Sequence, residues 1–142
     1  MVNGNLYPRC HGNCFMPKLI EELIKYFQNY MRDLNENGLQ GITSYFNEPS
    51  MMISPKGVTV LESNQELVGF FQPMMDEFNK EGFKRMEAVE MNAKLLNDTT
   101  AIASNKVIRY KKDGSELNRA SATYILHKNS QGWKIASLAM LD

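Results

Sequence analysis

The run TAIASNKVIRYKKDGSELNRASATYILHKN, residues 100–129, decides how this chain folds. On both sides of Asp113-Gly114, hydrophobic residues recur at a spacing of about two, the period at which side chains alternate across a strand. Asp-Gly is strong hairpin chemistry, because both residues tolerate the backbone of a tight turn. The pattern continues outward. Upstream, NDT at 97–99 separates the run from FKRMEAVEMNAKLL, residues 83–96. Downstream, NSQG at 129–132 leads into WKIASLAML, residues 133–141. Four strands joined by such short turns predict an antiparallel meander.

Ahead of the meander the period changes. SNQE, Ser63 to Glu66, is a capping box, in which hydroxyl and carboxylate cover the free amides of a starting helix. Leu67, Phe70, Phe71, Met74, Met75 and Phe78 give that helix its buried face, and Gly82 closes it. Pro73, which has no amide hydrogen, should kink it. PSMMIS and GVTVLE, joined through Pro55-Lys56-Gly57, read as a short β-hairpin. Pro17 suits a first helical turn, after which Leu19, Ile20, Leu23, Ile24, Phe27, Met31 and Leu34 fall at helical spacing. NENG at 35–38 ends that helix, and LQGITSYF reads as a short second one with Ile42, Tyr45 and Phe46 inward. The expected architecture is α+β: a cone-shaped, curved antiparallel sheet with three N-terminal helices packed on its concave face. Residues 17–142 form one domain, and residues 1–16, without periodicity, are expected to be a flexible N-terminal extension.

Composition narrows the function classes. Hydrophobic residues at 43% and charged residues at 23% are ordinary globular values. Sixteen basic residues balance sixteen acidic ones, which argues against a nucleic-acid partner, whose phosphates demand a basic excess. No apolar run approaches the ~20 residues that span a bilayer, and no secretory leader is evident, so a cytoplasmic address without membrane attachment is expected. Ten methionines suit a plastic cavity wall, although core filling is their commoner role. CHGNC, with Cys10, His11 and Cys14, lacks the second ligand pair that a zinc site needs. Nucleotide, acyl-transfer and zinc-protease motifs are missing too, so neither a metal nor a cofactor is expected.

Two stretches carry a family likeness: YMRDLNENGLQGITSYFNEPSMMISPKG, residues 30–57, and GWKIASLAMLD, residues 132–142. With the element order, they make residues 17–142 resemble the nuclear transport factor 2-like superfamily, its SnoaL-like and ketosteroid-isomerase-like group. The resemblance implies a cup-shaped sheet holding a small-molecule pocket, and a homodimer paired through the outer sheet face. It leaves the reaction open, because the superfamily hosts isomerases, dehydratases, cyclases, epoxide hydrolases and non-catalytic domains. Tyr30 matches the oxyanion-holding tyrosine of the isomerases. Their general base, an Asp before Pro-x-Gly, corresponds to Ser54, which has no proton-accepting state near neutral pH. Their second, acidic oxyanion donor corresponds to Tyr124, or to Thr123 if the register slips by one. Ketosteroid isomerisation is therefore not expected.

The expected ligand lining is Leu23, Phe27, Tyr30, Met52, Ser54, Phe70, Met74, Met91, Arg109 and Tyr124, around an apolar or amphipathic small molecule. Arg109, if inward, could clamp a carboxylate; paired exposed strand arginines are commoner. Tyr110 and Tyr124 fall on the even-numbered face of neighbouring strands. The alternative is a cofactor-free lyase, isomerase or hydrolase in which Tyr30 polarises an oxygen and Glu90 or His127 carries the proton. Glu90 shares a strand face with Asn92 and Lys94, opposite Val89, Met91, Ala93 and Leu95, and one β-bulge would exchange those faces. His127, two residues before a turn, reads as a surface histidine. A homodimeric assembly module is the third possibility.

Overall fold

A computed structural model describes residues 16–141. Its elements are α1 (Met16–Asn37), β1 (Phe46–Ser54), β2 (Gly57–Leu61), α2 (Asn64–Lys80), β3 (Phe83–Leu95), β4 (Thr100–Lys111), β5 (Glu116–Asn129) and β6 (Gly132–Met140). The cysteine–histidine cluster at 10–14 lies outside the described residues. No described helix is long and apolar enough to cross a membrane.

The four-strand meander forms as its turns predict, with β3, β4, β5 and β6 antiparallel in sequence. The β1–β2 hairpin also forms, with Ser54 opposite Gly57. The full order is β2-β1-β6-β5-β4-β3, and β1 runs parallel to β6. The sheet is thus mixed rather than purely antiparallel: its first and last strands meet in the interior, a pairing that local turn chemistry does not specify. Register shifts in β1, β3, β4 and β5 bend and coil it.

The described residues hold two α-helices, not three. LQGITSYF forms two short 3-10 turns, Gly38–Gly41 and Thr43–Tyr45, and its last residue begins β1. A Cβ on Gly41 would lie 2.6 Å from the Asp33 carbonyl oxygen. This segment therefore presses against the end of α1 instead of winding out as a helix. Gly38, at φ 66, ends α1 as NENG predicts.

The apolar stripe of α1 is buried against the sheet. Leu23 is fully enclosed, and Leu126 and Ile135 are equally so beneath it. Burial of each such side chain contributes about 1.5–3 kcal/mol. Ala93, Ala101 and Ala103 on the inner face are small enough to let the helix approach. Polar contacts fix its azimuth. The Asn35 amide donates to the Met86 carbonyl and accepts from the Met86 amide, each at 2.8 Å, and so covers backbone of the edge strand β3. Lys128 reaches Glu22 at 2.7 Å.

At the start of α2, the Ser63 hydroxyl accepts from the Glu66 amide at 3.2 Å. The Glu66 carboxylate returns to the Glu62 amide at 3.1 Å, one residue earlier than a standard box. The helix runs unbroken through Pro73 to Lys80. It sets Phe71, Met74 and Phe78 over the open end of the sheet, where the site lies.

Candidate functional site

Between the C-terminal half of α1, the 3-10 turns, α2 and the inner face of the sheet is a cavity of about 350 Å³. Three elements supply most of its apolar wall: Met31 and Leu34 from α1, Phe71, Met74, Met75 and Phe78 from α2, and Val107 and Ala120 from the sheet. With Met86 and Met140, five of the chain's ten methionines line it. These flexible thioethers let the wall adapt to more than one shape.

Strand parity and bulges decide which polar groups enter. On β4 the odd-numbered residues face the helices, so Asn105, Val107 and Arg109 line the cavity. The hairpin register sets Ala103 opposite Tyr124, so odd residues of β4 share a face with even residues of β5. Tyr124 therefore points inward. Tyr110, expected on the same face, lies on the other side of the sheet, with the Arg85 guanidinium 4.3 Å from its ring centre. In β3 the register shifts between Ala88 and Glu90. The bulge leaves Met91, Ala93 and Leu95 inward as expected but turns the earlier half over, bringing Met86 into the cavity.

The polar set inside is small. Tyr30 is 6% exposed, and its hydroxyl has no hydrogen-bond partner among the described residues. Burial, reinforced by the neighbouring phenols of Tyr124 and Tyr26, pushes it well above the usual tyrosine pKa. Tyr124 is pushed up to about 12 by burial, against the opposing pull of its Asn105 hydrogen bond and of Arg109. The Asn105 amide donates to the Tyr124 hydroxyl at 3.3 Å, and its Oδ1 is buried without a partner. Arg109 donates through Nη1 to Asn118 Oδ1 at 2.9 Å, lies 4.3 Å from the Phe78 ring centre, and leaves Nε buried and unpartnered. Desolvation lowers its pKa from the usual arginine value.

Of the residues expected from sequence, Tyr30, Met74, Arg109 and Tyr124 meet in this cavity. Leu23, Phe27 and Met52 are buried in the solid core beside it, with the Phe27 ring 4.9 Å from Tyr124. Phe70 packs at the core's margin, and Met91 borders a separate surface depression. Ser54 accepts from the Lys56 amide at 3.2 Å in the hairpin turn, so β1 delivers no group to the cavity there. Glu90 is exposed and 3.5 Å from Lys106, and His127 is exposed on β5; neither lines the cavity. Sequence reasoning missed Asn105, Asn118 and Met86. Asn105 sits between Ser104 and Lys106, where a polar residue reads as surface. Among the cavity-lining residues described there is no acid and no histidine. No described cluster of histidine, cysteine, aspartate or glutamate could hold a metal.

The family profile described as NTF2-like protein (DUF6841) matches residues 21–142. No curated protein matches the chain. Among solved structures it is similar to Aln2 from a Streptomyces species at 18% identity, covering 88% of this chain and 91% of that one, with a TM-score of 0.71. It is similar to a Catenulispora acidiphila protein in complex with S-DNPA at 14% identity, covering 89% and 94%, with a TM-score of 0.69. A Nostoc punctiforme protein of unknown function with a cystatin-like fold aligns at 13% identity over 86% and 89%, with a TM-score of 0.68. At these identities the likeness concerns fold alone.

Proposed function

Since the chain belongs to the NTF2-like family described as DUF6841, and folds around an apolar hollow, we propose that it binds a small apolar or amphipathic molecule there. The observation that carries the reading is the 350 Å³ cavity itself, walled by methionines and aromatics and holding an unpaired Tyr30 hydroxyl and an unpaired Asn105 Oδ1. An apolar wall with a few convergent polar atoms is the usual form of a ligand pocket. The bent sheet and its two helices make a cone-like cup around it. The similar protein from Catenulispora acidiphila was solved in complex with S-DNPA, which is consistent with this use of the fold. A proton-transfer enzyme is less well supported: Glu90 and His127, its expected proton carriers, do not line the cavity, and no other described lining residue is a carboxylate or an imidazole.

Native mass spectrometry of freshly purified protein tests the binding reading. Wild-type protein should carry a small-molecule adduct, and Ala120→Phe, which places a ring in the hollow, should lose it. Protein that carries no adduct and takes up neither added 1-naphthylacetate nor 1-naphthylacetamide would refute the proposal.

A second reading, homodimeric assembly through the sheet face away from the helices, has its own observation. Val60, Met51, Ser137, Ile125 and Ile102 are consecutive cross-strand neighbours on β2, β1, β6, β5 and β4. Val60 is 54% exposed, and Met51 and Ile125 are also open to solvent. A largely apolar row of this kind, broken only by Ser137, suits burial against a second copy. Val60→Asp should shift the sedimentation coefficient to that of a monomer if such a dimer forms; a wild-type monomer at micromolar concentration would remove this reading.

A further inference from the structure

We propose that the cavity's ligand is an amphipathic carboxylate whose anionic group pairs with Arg109 while its apolar body lies toward Phe71, Met74 and Val107. The inference rests on the cavity being a ligand site and specifies the class of molecule it takes.

Arg109 is the anomaly among the described arginines. Arg32 has Asp33 at 3.1 Å, Arg85 has Glu87 at 3.1 Å, and Arg119 has Glu116 at 2.9 Å. Arg109 has no carboxylate partner among the described residues. Its guanidinium is held from two sides, by Asn118 directly opposite on β5 and by the Phe78 ring of α2. The charge is thus oriented, partly desolvated and uncompensated, with donors left over after the bond to Asn118.

A guanidinium keeps its charge in proteins, so burial here is a standing cost that an incoming anion would relieve. Arginine donors lie in a planar fork that matches the two oxygens of a carboxylate, and such charge-assisted bonds are roughly twice as strong as neutral ones. The charge count favours a monoanion. Arg119, the other arginine among the described lining residues, is already countered in two-point geometry by Glu116, so one cation of that described lining remains for the ligand. A phosphate dianion would leave a second negative charge facing methionine and phenylalanine, which is costly. At the inner end, Tyr30 and Asn105 carry no charge to neutralise the anion, which Arg109 does.

The test is a calorimetric titration of the full chain at pH 7.5 with 1-naphthylacetate and with its neutral isostere 1-naphthylacetamide. The acid should bind on the order of 10- to 100-fold tighter than the amide. Arg109→Gln should remove that advantage, bringing the two within about twofold. Equal binding of acid and amide to wild-type protein overturns the anion inference but leaves the cavity reading standing, and this comparison needs no variant to fold. A preference for the acid that survives in folded Arg109→Gln rejects Arg109 as the anchor. If neither compound binds, both the inference and the cavity reading fail.

Discussion

Two tyrosines one turn apart on α1 should respond in opposite ways to loss of their hydroxyls. The Tyr26 hydroxyl donates to the Tyr45 backbone carbonyl, whereas the Tyr30 hydroxyl, on the cavity wall, has no hydrogen-bond partner among the described residues. In Tyr30→Phe the ring keeps its edge contact with Tyr45, 5.4 Å between centres, and its packing on Phe27 and Phe46. Nothing paired is lost, because the hydroxyl removed faces the cavity. Stability should stay level or rise by up to about 1 kcal/mol. Tyr26→Phe breaks a part-buried bond and should cost about 1–3 kcal/mol. Urea unfolding at matched protein concentration measures both, and heating should lower the midpoint of Tyr26→Phe alone, by about 3–4 °C per kcal/mol at this chain length. If Tyr30→Phe proves as damaging as Tyr26→Phe, the Tyr30 hydroxyl has a structural partner and is not free to meet a ligand.

Gly41→Ala should destabilise by about 1–3 kcal/mol, because the new methyl would lie 2.6 Å from a backbone oxygen that cannot rotate away; an unchanged urea midpoint would contradict this contact. Tyr124 should make the fold sensitive to alkali. Its folded pKa, about 12, is above the unfolded value near 10, so its contribution is intact below pH 10 and declines as pH rises through 12. The loss should approach about 2–3 kcal/mol, and Tyr124→Phe should flatten the decline over that interval; equal slopes in both proteins would show that Tyr124 ionises freely.

Local signals in this chain were legible because each is settled within a few residues. Asp113-Gly114 fixed a hairpin, Ser63 and Glu66 fixed a helix start, and the stripe from Leu19 to Leu34 fixed which face of α1 is buried. What stayed hidden depends on distant neighbours. β1 reads as a strand, but nothing within PSMMIS says that it joins β6 in parallel. LQGITSYF has helical spacing, yet eight residues are too few to hold a helix without outside support, and Gly41 is pressed against α1 instead. The site suffered most from parity. A one-residue bulge at Val89 brought Met86 inward, and the register of β4 on β5 selected Asn105 and Arg109 over Tyr110. Ser54 could be excluded as a base by its chemistry alone, whereas Glu90 and His127 could be placed only by strand geometry.

The cavity should admit a small molecule, and the methionine methyl groups on its wall are reporters already in place. Carbon-13 methyl spectra of methionine-labelled protein, recorded while 1-naphthylacetate is added, examine it directly. The signals of Met31, Met74, Met75, Met86 and Met140 should move together under the ring current of the bound naphthalene, while Met52 in the solid core and Met51 on the outer face stay still. No movement at saturating ligand, or movement at Met51 alone, would contradict the account.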